Sequence, residues 1–279
     1  MVRSRIQSRL RTAVRKAGHR RPEFAELVSG LESIRVPIDG ALLRIVSDVR
    51  SEPKMRGLAA RLLRDIGGET AAFVPLLVEF IDAGDEKLPG LCEVILSMSY
   101  GWGHLARPEF EILHQALRSG TPQQRYWVVN HIACFDRRQV RPALIEVLED
   151  ATAPGYVRGW AAERLHQHIS QATVKACLRA IEDPSPEVRL WAVYTLGHAA
   201  MHPVFRDDVT PALERMLTDD VVVPGWWSVR REAQSYMARL CGGPDGESRL
   251  QAEIQAILKD PNASAEDKHW AGFNDESSS

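Results

Sequence analysis

The side chains that could do chemistry here are a recurring cation–tryptophan pair and two spaced histidines. The pair occurs four times, as Arg125/Trp127, Arg158/Trp160, Arg189/Trp191 and Lys268/Trp270. A row of indole rings beside cations is typical of surfaces on which bases or a pigment stack. His198 and His202 have the i, i+4 spacing with which two imidazoles on a helix could hold zinc. No third ligand follows nearby in the sequence, so we expect a polar helix end and no metal site there.

Recognisable catalytic motifs are missing from the sequence. It contains no complete G-x-G-x-x-G or Walker string, no G-x-S-x-G elbow and no H-E-x-x-H. These absences favour a non-enzymatic function, and we expect neither catalytic residues nor a cofactor.

Charge is distributed unevenly along the chain. Residues 1–64 carry 15 Lys and Arg against 6 Asp and Glu, a net charge of +9, whereas residues 65–279 carry −11. A basic segment on an acidic body is a hint about partners and carries no information about the fold. The basic side chains of residues 1–21, a segment without any acid, are Arg3, Arg5, Arg9, Arg11, Arg15, Lys16, Arg20 and Arg21.

Three roles are open for this basic N-terminal segment. Ile6, Leu10 and Val14 recur every four residues and form one apolar stripe on a basic helix, which we expect to cap the fold. The same residues would suit an arm that contacts an acidic partner, nucleic acid included. An Arg-rich, acid-free start is also compatible with a mitochondrial transit peptide, whereas a secretory signal would need an apolar core that is missing.

Membrane insertion and disulfide bonding are both disfavoured by the sequence. The most apolar stretch, residues 71–81, is interrupted by Glu79 and is shorter than the roughly 18 to 20 residues that span a bilayer. The four cysteines lie far apart and form no C-x-x-C pair. They suit reduced thiols, so we expect a cytoplasmic protein.

Most of the chain repeats itself at intervals of 31 to 41 residues. The clearest copy is D-P-S-P-E-V-R-L-W-A-V-Y-T-L-G at residues 183–197, and similar strings centre on Arg56, Arg125, Arg158, Arg230 and Lys268. A degenerate copy has Pro89 in place of the cation. Self-similarity at such a period indicates a repeat architecture.

A second helical pattern lies between these copies, with apolar residues at i, i+3, i+4 and i+7. It covers residues 41–49, 72–81, 108–117, 140–148, 172–181, 209–217 and 249–258. Turn residues such as Gly67-Gly68 separate the pairs, and no strand pattern is present. The chain is therefore predicted to form about seven A–B helix pairs, each of which buries its apolar face against its neighbours.

The D-x-x-P-E-V-R-x-x-A-x-x-x-L-G pattern of residues 183–197 resembles the HEAT repeat, in the short form shared with bilin-lyase-like proteins. The resemblance implies an all-α, right-handed αα-superhelix over residues 37–273, with capping helices in 1–36 and a disordered tail in 274–279. HEAT arrays are mostly protein-interaction scaffolds, with minorities that bind DNA or bilins. The His-Glu dipeptides with which HEAT-type hydroxylases hold iron are absent from this sequence.

Helical geometry predicts which way each B helix faces. Counted from the residue before the anchor cation, offsets 0, +3, +4, +7 and +8 fall on one side, the expected core. The recurring tryptophans occupy offset +3, where other copies have Leu58 and Leu91, so we expect them to pack internally. Glu232 breaks the pattern at this offset and is expected to face a gap or a partner. The resemblance to HEAT arrays further implies that the anchor arginines pair with an acid of the adjoining repeat.

Offsets +2, +6 and +9 lie on the opposite side of the B helices, predicted to be the concave surface. The resemblance favours this face as the site of a protein partner. The alternatives are nucleic acid, as in HEAT-like proteins that excise alkylated bases, and a bilin. The candidate residues are Arg61, Arg64, Tyr126, Asn130, Glu163, His166, Leu190, Tyr194 and Arg231, with Tyr126, Asn130, Glu163, His166 and Tyr194 expected close together.

Overall fold

The computed structural model describes residues 38–65, 72–99, 104–241 and 245–275. The predicted N-terminal capping helices and the basic arm lie outside these residues. The chain divides into two compact units, Met1–Val140 and Arg141–Ser279, which are treated separately below.

Fourteen α-helices occupy the described residues and alternate between the A and B types that the sequence predicts. The odd-numbered A helices are α1 (Ile38–Ser47), α3 (Val74–Asp82), α5 (Arg107–Ser119), α7 (Arg137–Glu149), α9 (Gln171–Ala180), α11 (Pro203–Met216) and α13 (Gly246–Lys259). The even-numbered B helices are α2 (Pro53–Asp65), α4 (Leu88–Met98), α6 (Pro122–Ile132), α8 (Gly155–Arg164), α10 (Pro186–Ala200), α12 (Val229–Cys241) and α14 (Ala265–Asn274). An isolated bridge between Val222 and Ser228 is the single β pairing among them. The predicted all-α, paired-helix architecture is confirmed.

Helix starts follow the local sequence closely. At α6 the Thr121 side chain accepts from Gln124 N at 3.2 Å, and Pro122 occupies the first turn, where no backbone donor is needed. Ser264 caps α14 in the same way, accepting from Asp267 N at 3.0 Å. Capping residues between apolar-periodic segments therefore mark where α6 and α14 begin.

The predicted core side of the B helices is buried in α2. Met55, Leu58, Ala59, Leu62 and Leu63, at the five core offsets, are all 6% exposed or less. The B helix α2 packs on α1, the A helix of its own pair, so these side chains fill the space between the two. The degenerate copy, on α4, departs from this pattern at offset +8, where Leu96 is 42% exposed.

The opposite side of the B helices, predicted to be the concave surface, is only partly open. Gly57 approaches Ser97 of the next B helix so closely that a Cβ atom would lie 2.7 Å from its Oγ. Gly159 approaches Trp191 in the same way. Leu190 is fully buried, so in this structure it is not available to a partner, contrary to prediction. Consecutive B helices pack against each other through these offsets because glycine lets their backbones come together.

The closest of these approaches gives a test of the packing. A Cβ atom at Gly197 would lie 2.2 Å from the ring of Tyr236, which is buried and has little room to move. We expect Gly197→Ala to lower the free energy of unfolding by about 1–3 kcal/mol despite its better helix propensity. Gly272, on an exposed part of α14 with nothing within 4 Å, is the matched control. Gly272→Ala should be neutral or stabilising by up to about 1 kcal/mol in urea unfolding, and equal effects at both sites would contradict this packing.

The anchor arginines Arg56 and Arg189 join adjoining repeats, as predicted, whereas Arg230 pairs with Asp220 of its own helix pair. Arg56 donates to Val46 O at 2.8 Å and holds both carboxylate oxygens of Glu79, at 3.0 and 2.5 Å. The hydrogen bond from Arg56 lowers the pKa of Glu79. Arg189 binds the carboxylate of Asp219 in the same bidentate manner, with Nε 2.7 Å from Oδ2. Arg56 and Arg189 thus each fix their own helix to a carboxylate of the following repeat.

Arg158 makes the most enclosed of these connections. It donates through Nε to Ala153 O at 3.1 Å and through both terminal nitrogens to the carboxylate of Asp183. Its side chain is 10% exposed, and that of Asp183 is 14% exposed. The contact therefore links the turn before α8, the helix itself and the turn before α10.

Candidate functional site

A continuous row of aromatic rings runs across the second unit. We call it the aromatic row: Trp160, Trp191, Trp226, His269 and Phe273. Ring centroids are 5.5 Å apart between Trp160 and Trp191, and 4.7 Å apart between Trp191 and Trp226. Trp226 lies 5.5 Å from His269 and 6.0 Å from Phe273. The row therefore extends from α8 through α10 to α14.

The loop before α12 supplies the middle of this row. In α12 the tryptophan of the repeat is replaced by Glu232, which is buried. Trp227 fills the space and donates its Nε1–H to Glu232 Oε2 at 2.7 Å, while Trp226 beside it joins the row. The gap that Glu232 was expected to face is thus filled by the chain's own indole. Burial raises the pKa of Glu232 to about 7, and the Trp227 hydrogen bond opposes this shift.

Exposure separates the packing tryptophans from those that reach the surface. Trp191 and Trp270 are 3% and 1% exposed, which confirms the predicted internal packing for two of the four recurring tryptophans, whereas Trp127 is only partly buried. Trp160 and Trp226 are only partly buried, His269 is exposed, and Phe273 is 49% exposed. The aromatic row is therefore anchored inside the unit and emerges at both of its ends.

A second group of rings adjoins the aromatic row. This histidine–tyrosine cluster consists of His166, Tyr194, His198 and Tyr236, contributed by α8's end, α10 and α12. The Tyr194 ring lies 5.3 Å from His166 and 4.6 Å from His198, and His198 lies 5.6 Å from Tyr236. Trp191 is 5.6 Å from Tyr194, so the cluster and the row are in direct contact.

Burial keeps two members of this cluster, His198 and Tyr194, neutral around pH 7 by shifting their pKa values. Burial, followed by the nearby His166 and Arg239, lowers the pKa of His198 to about 4. Burial, reinforced by Glu163 and then Glu232, raises the pKa of Tyr194 to about 12. A neutral imidazole and a neutral phenol can each donate and accept a hydrogen bond. They suit a polar ligand group better than proton transfer near neutral pH, which needs a pKa close to the working pH.

Glu163 lies beneath the cluster and is buried. Its carboxylate oxygens are 3.2 Å from Arg164 Nε and 3.6 Å from His166 Nδ1, and its backbone carbonyl is 2.5 Å from that same Nδ1. Burial raises the pKa of Glu163, with Arg164 and His166 opposing the shift. Glu163 was predicted as a surface residue; its contacts instead make it a support that orients His166.

The remaining candidate residues fall into two groups. Glu163, His166 and Tyr194 come together in the second unit. Tyr126 and Asn130 lie on α6 of the first unit, where Asn130 Nδ2 donates to Tyr126 O at 3.0 Å. Five residues were predicted to lie close together, and the structure confirms this for the three that belong to the second unit.

The three cationic candidates are engaged within the protein. Arg61 lies 2.7 Å from Asp65 Oδ2, and Arg64 lies 3.4 Å from Glu109 Oε2. Arg231 lies 2.9 Å from Glu253 Oε1 and its guanidinium sits 3.9 Å above the Trp270 ring. Carboxylates of the protein itself therefore already bind the three arginines that a phosphate would need.

Sequence reasoning missed four members of the two ring groups: Trp226, His269, Phe273 and the buried Tyr236. The available signal was the pair of adjacent tryptophans, Trp226 and Trp227, just before the repeat copy in which Glu232 replaces the tryptophan. In the described residues, no group of three or more His, Cys, Asp or Glu is arranged to hold a metal ion. Within the same residues, no helix is long and apolar enough to cross a membrane.

Comparison with known proteins bears on the repeats that carry this surface. Residues 151–238 match the family model for HEAT repeats. The matched segment contains α8 through most of α12, and so holds the histidine–tyrosine cluster and three of the five rings of the aromatic row. The match does not extend to the bilin-lyase-like subtype, which stays a prediction. No curated protein matches the chain.

Proposed function

We propose that this HEAT-repeat protein is a non-enzymatic scaffold or adaptor that binds a protein partner through its second unit. The binding face combines the aromatic row with the histidine–tyrosine cluster, and His166, Tyr194, His269 and Phe273 among them lie at the offsets predicted to form the concave surface. The observation that carries the proposal is the emergence of the row at the surface, with Phe273 49% exposed beside His269 and Trp226.

The chemistry of this face suits a polypeptide ligand. Tryptophan and tyrosine bury large areas while keeping a polar edge, which is why they dominate the energetics of protein interfaces. Trp160, Trp226 and Phe273 offer apolar contact, and neutral Tyr194 and His198 add hydrogen-bonding groups beside them. The rings are already packed against each other, so little side-chain entropy remains to be lost on binding.

The contacts of the cations favour a protein over nucleic acid. Phosphate binding requires a stripe of available Lys and Arg. Arg61 and Arg64 in the first unit and Arg231 in the second are held by Asp65, Glu109 and Glu253. No contact favours a bilin either. The four cysteines are free thiols, which supports the further proposal of a cytoplasmic location.

Affinity capture from the protein's own cells tests the proposal. We expect the double variant His269→Ala/Phe273→Ala to lose a specific protein by about 10-fold or more, because each aromatic anchor at an interface is worth about 1–2 kcal/mol. Both side chains are exposed at the end of α14, so the fold should be retained.

Val204→Ala is the matched control, since Val204 is 77% exposed on α11 and lies outside both ring groups. It should retain the full set of captured proteins. An identical set from all three proteins would refute binding through this face, as would capture of nucleic acid in place of protein.

A further inference from the structure

A groove in the first unit is separate from the surface proposed above. It lies between α3 and α5, closed at one end by the start of α6, and encloses about 400 Å³. Gln124 at the start of α6 donates to Ile81 O at 2.8 Å and fixes that end of the groove. The groove thus has a defined shape set by three helices.

The groove combines an apolar floor with an acidic rim. Val78, Ile81, Ile112 and Ala116 line the floor, and Val78 is 41% exposed although it is apolar. Asp82 and Glu111 stand at the rim, both exposed. Glu111 has an exposed partner, Arg107, at 3.7 Å, which is a weak interaction that a competing cation can replace.

We propose that residues 1–21 of the same chain dock in this groove. This segment has the complementary chemistry, with Ile6, Leu10 and Val14 spaced to form one apolar stripe and eight Lys and Arg around it. An amphipathic helix that lays its apolar face into a groove is a common recognition mode. Docking on the same chain is closest to the capping role among the three that the sequence leaves open for the segment, with the groove in place of the end of the fold.

The chain is long enough for this contact to form within one molecule. Sixteen residues separate residue 21 from α1, which begins at Ile38. An extended chain of that length spans up to about 50 Å. Neighbouring helices pack about 8–10 Å apart, so α3 and α5 lie within this reach.

Trypsin reports on docking because most of its sites in residues 1–21 are arginines that a docked segment would shield. The experiment compares the cleavage rate of this segment in the purified full chain with that in Asp82→Lys/Glu111→Lys. We expect cleavage to be about 10-fold faster in the variant. Lysines at the rim would repel the basic segment, so a larger fraction of molecules would have it undocked and open to trypsin. Val78→Asp, which places a charge in the apolar floor and leaves the rim residues unchanged, should also accelerate cleavage of the segment.

Asp207→Lys/Asp208→Lys is the control, because it changes the net charge equally at exposed positions on α11 in the other unit. It should leave the cleavage rate unchanged. Equal rates in all proteins, or equal acceleration by both lysine doubles, would overturn the proposal. Protection that rises with protein concentration would also overturn it, since the occupant would then be a second copy.

Discussion

Replacing Arg158 with alanine is expected to lower the free energy of unfolding by about 3–5 kcal/mol, the range for breaking a buried ion pair. Arg158 is 8% exposed and binds both oxygens of Asp183 and the Ala153 carbonyl. Its loss leaves a nearly buried carboxylate without its cation and a buried carbonyl without its donor. Both costs fall at the junction of two repeats, so neighbouring pairs should loosen together.

Arg179→Ala is the matched control for this prediction. Arg179 also pairs with a carboxylate of a neighbouring element, Glu149, but the two side chains are 63% and 44% exposed. Solvent screens such a pair, so its removal should cost between 0 and about 1 kcal/mol. Urea unfolding followed by circular dichroism measures both, and similar losses at the two sites would show that burial of the Arg158 contact does not stabilise the repeat junction.

Replacing Glu232 with glutamine is expected to stabilise the protein at alkaline pH and to leave it nearly unchanged at acidic pH. The folded-state pKa of Glu232 is raised to about 7 from a usual 4.5, chiefly by burial. In wild type the unfolded chain therefore releases this proton before the folded chain does. The resulting loss of stability sets in as pH rises above 4.5 and is complete above about pH 7.

At pH 8 the shift corresponds to about 3 kcal/mol, which Glu232→Gln should recover. Glutamine keeps an acceptor for the Trp227 indole, so the hydrogen bond survives the change. Unfolding free energies at pH 5 and pH 8 measure the effect. Glu214→Gln, at an exposed position on α11, serves as the control and should show no such divergence. If the free energies of unfolding of Glu232→Gln and wild type differed by the same amount at both pH values, Glu232 would not be a buried carboxyl with a raised pKa.

The repeat architecture could be predicted from the sequence because its information is local. An apolar residue at every third or fourth position and a capping residue such as Thr121 each act within a few residues of where they stand. The pairing of Arg56, Arg158 and Arg189 with a carboxylate of the next repeat follows from the repeat period. The resulting helix bounds agree with the predicted copies of both helix types.

The exposed part of the B helices could not be predicted in the same way. Helical geometry places Leu190 opposite the core of its own pair, but the next B helix covers that side. How closely two B helices approach depends on the residues of both, here on Gly159 and Gly197 against bulky partners. The position of Trp226 depends on a loop, whose course the repeat pattern does not specify.

The central claim is that the outer end of the aromatic row touches a protein partner, and photo-crosslinking inside the cell tests it most directly. Benzoylphenylalanine in place of Phe273 keeps an aromatic ring at a position that is 49% exposed. The same amino acid in place of Val204, 77% exposed, is the reference. We predict a discrete protein adduct from position 273 and none of that kind from position 204. No protein adduct from position 273, or the same adducts from both positions, would contradict the claim.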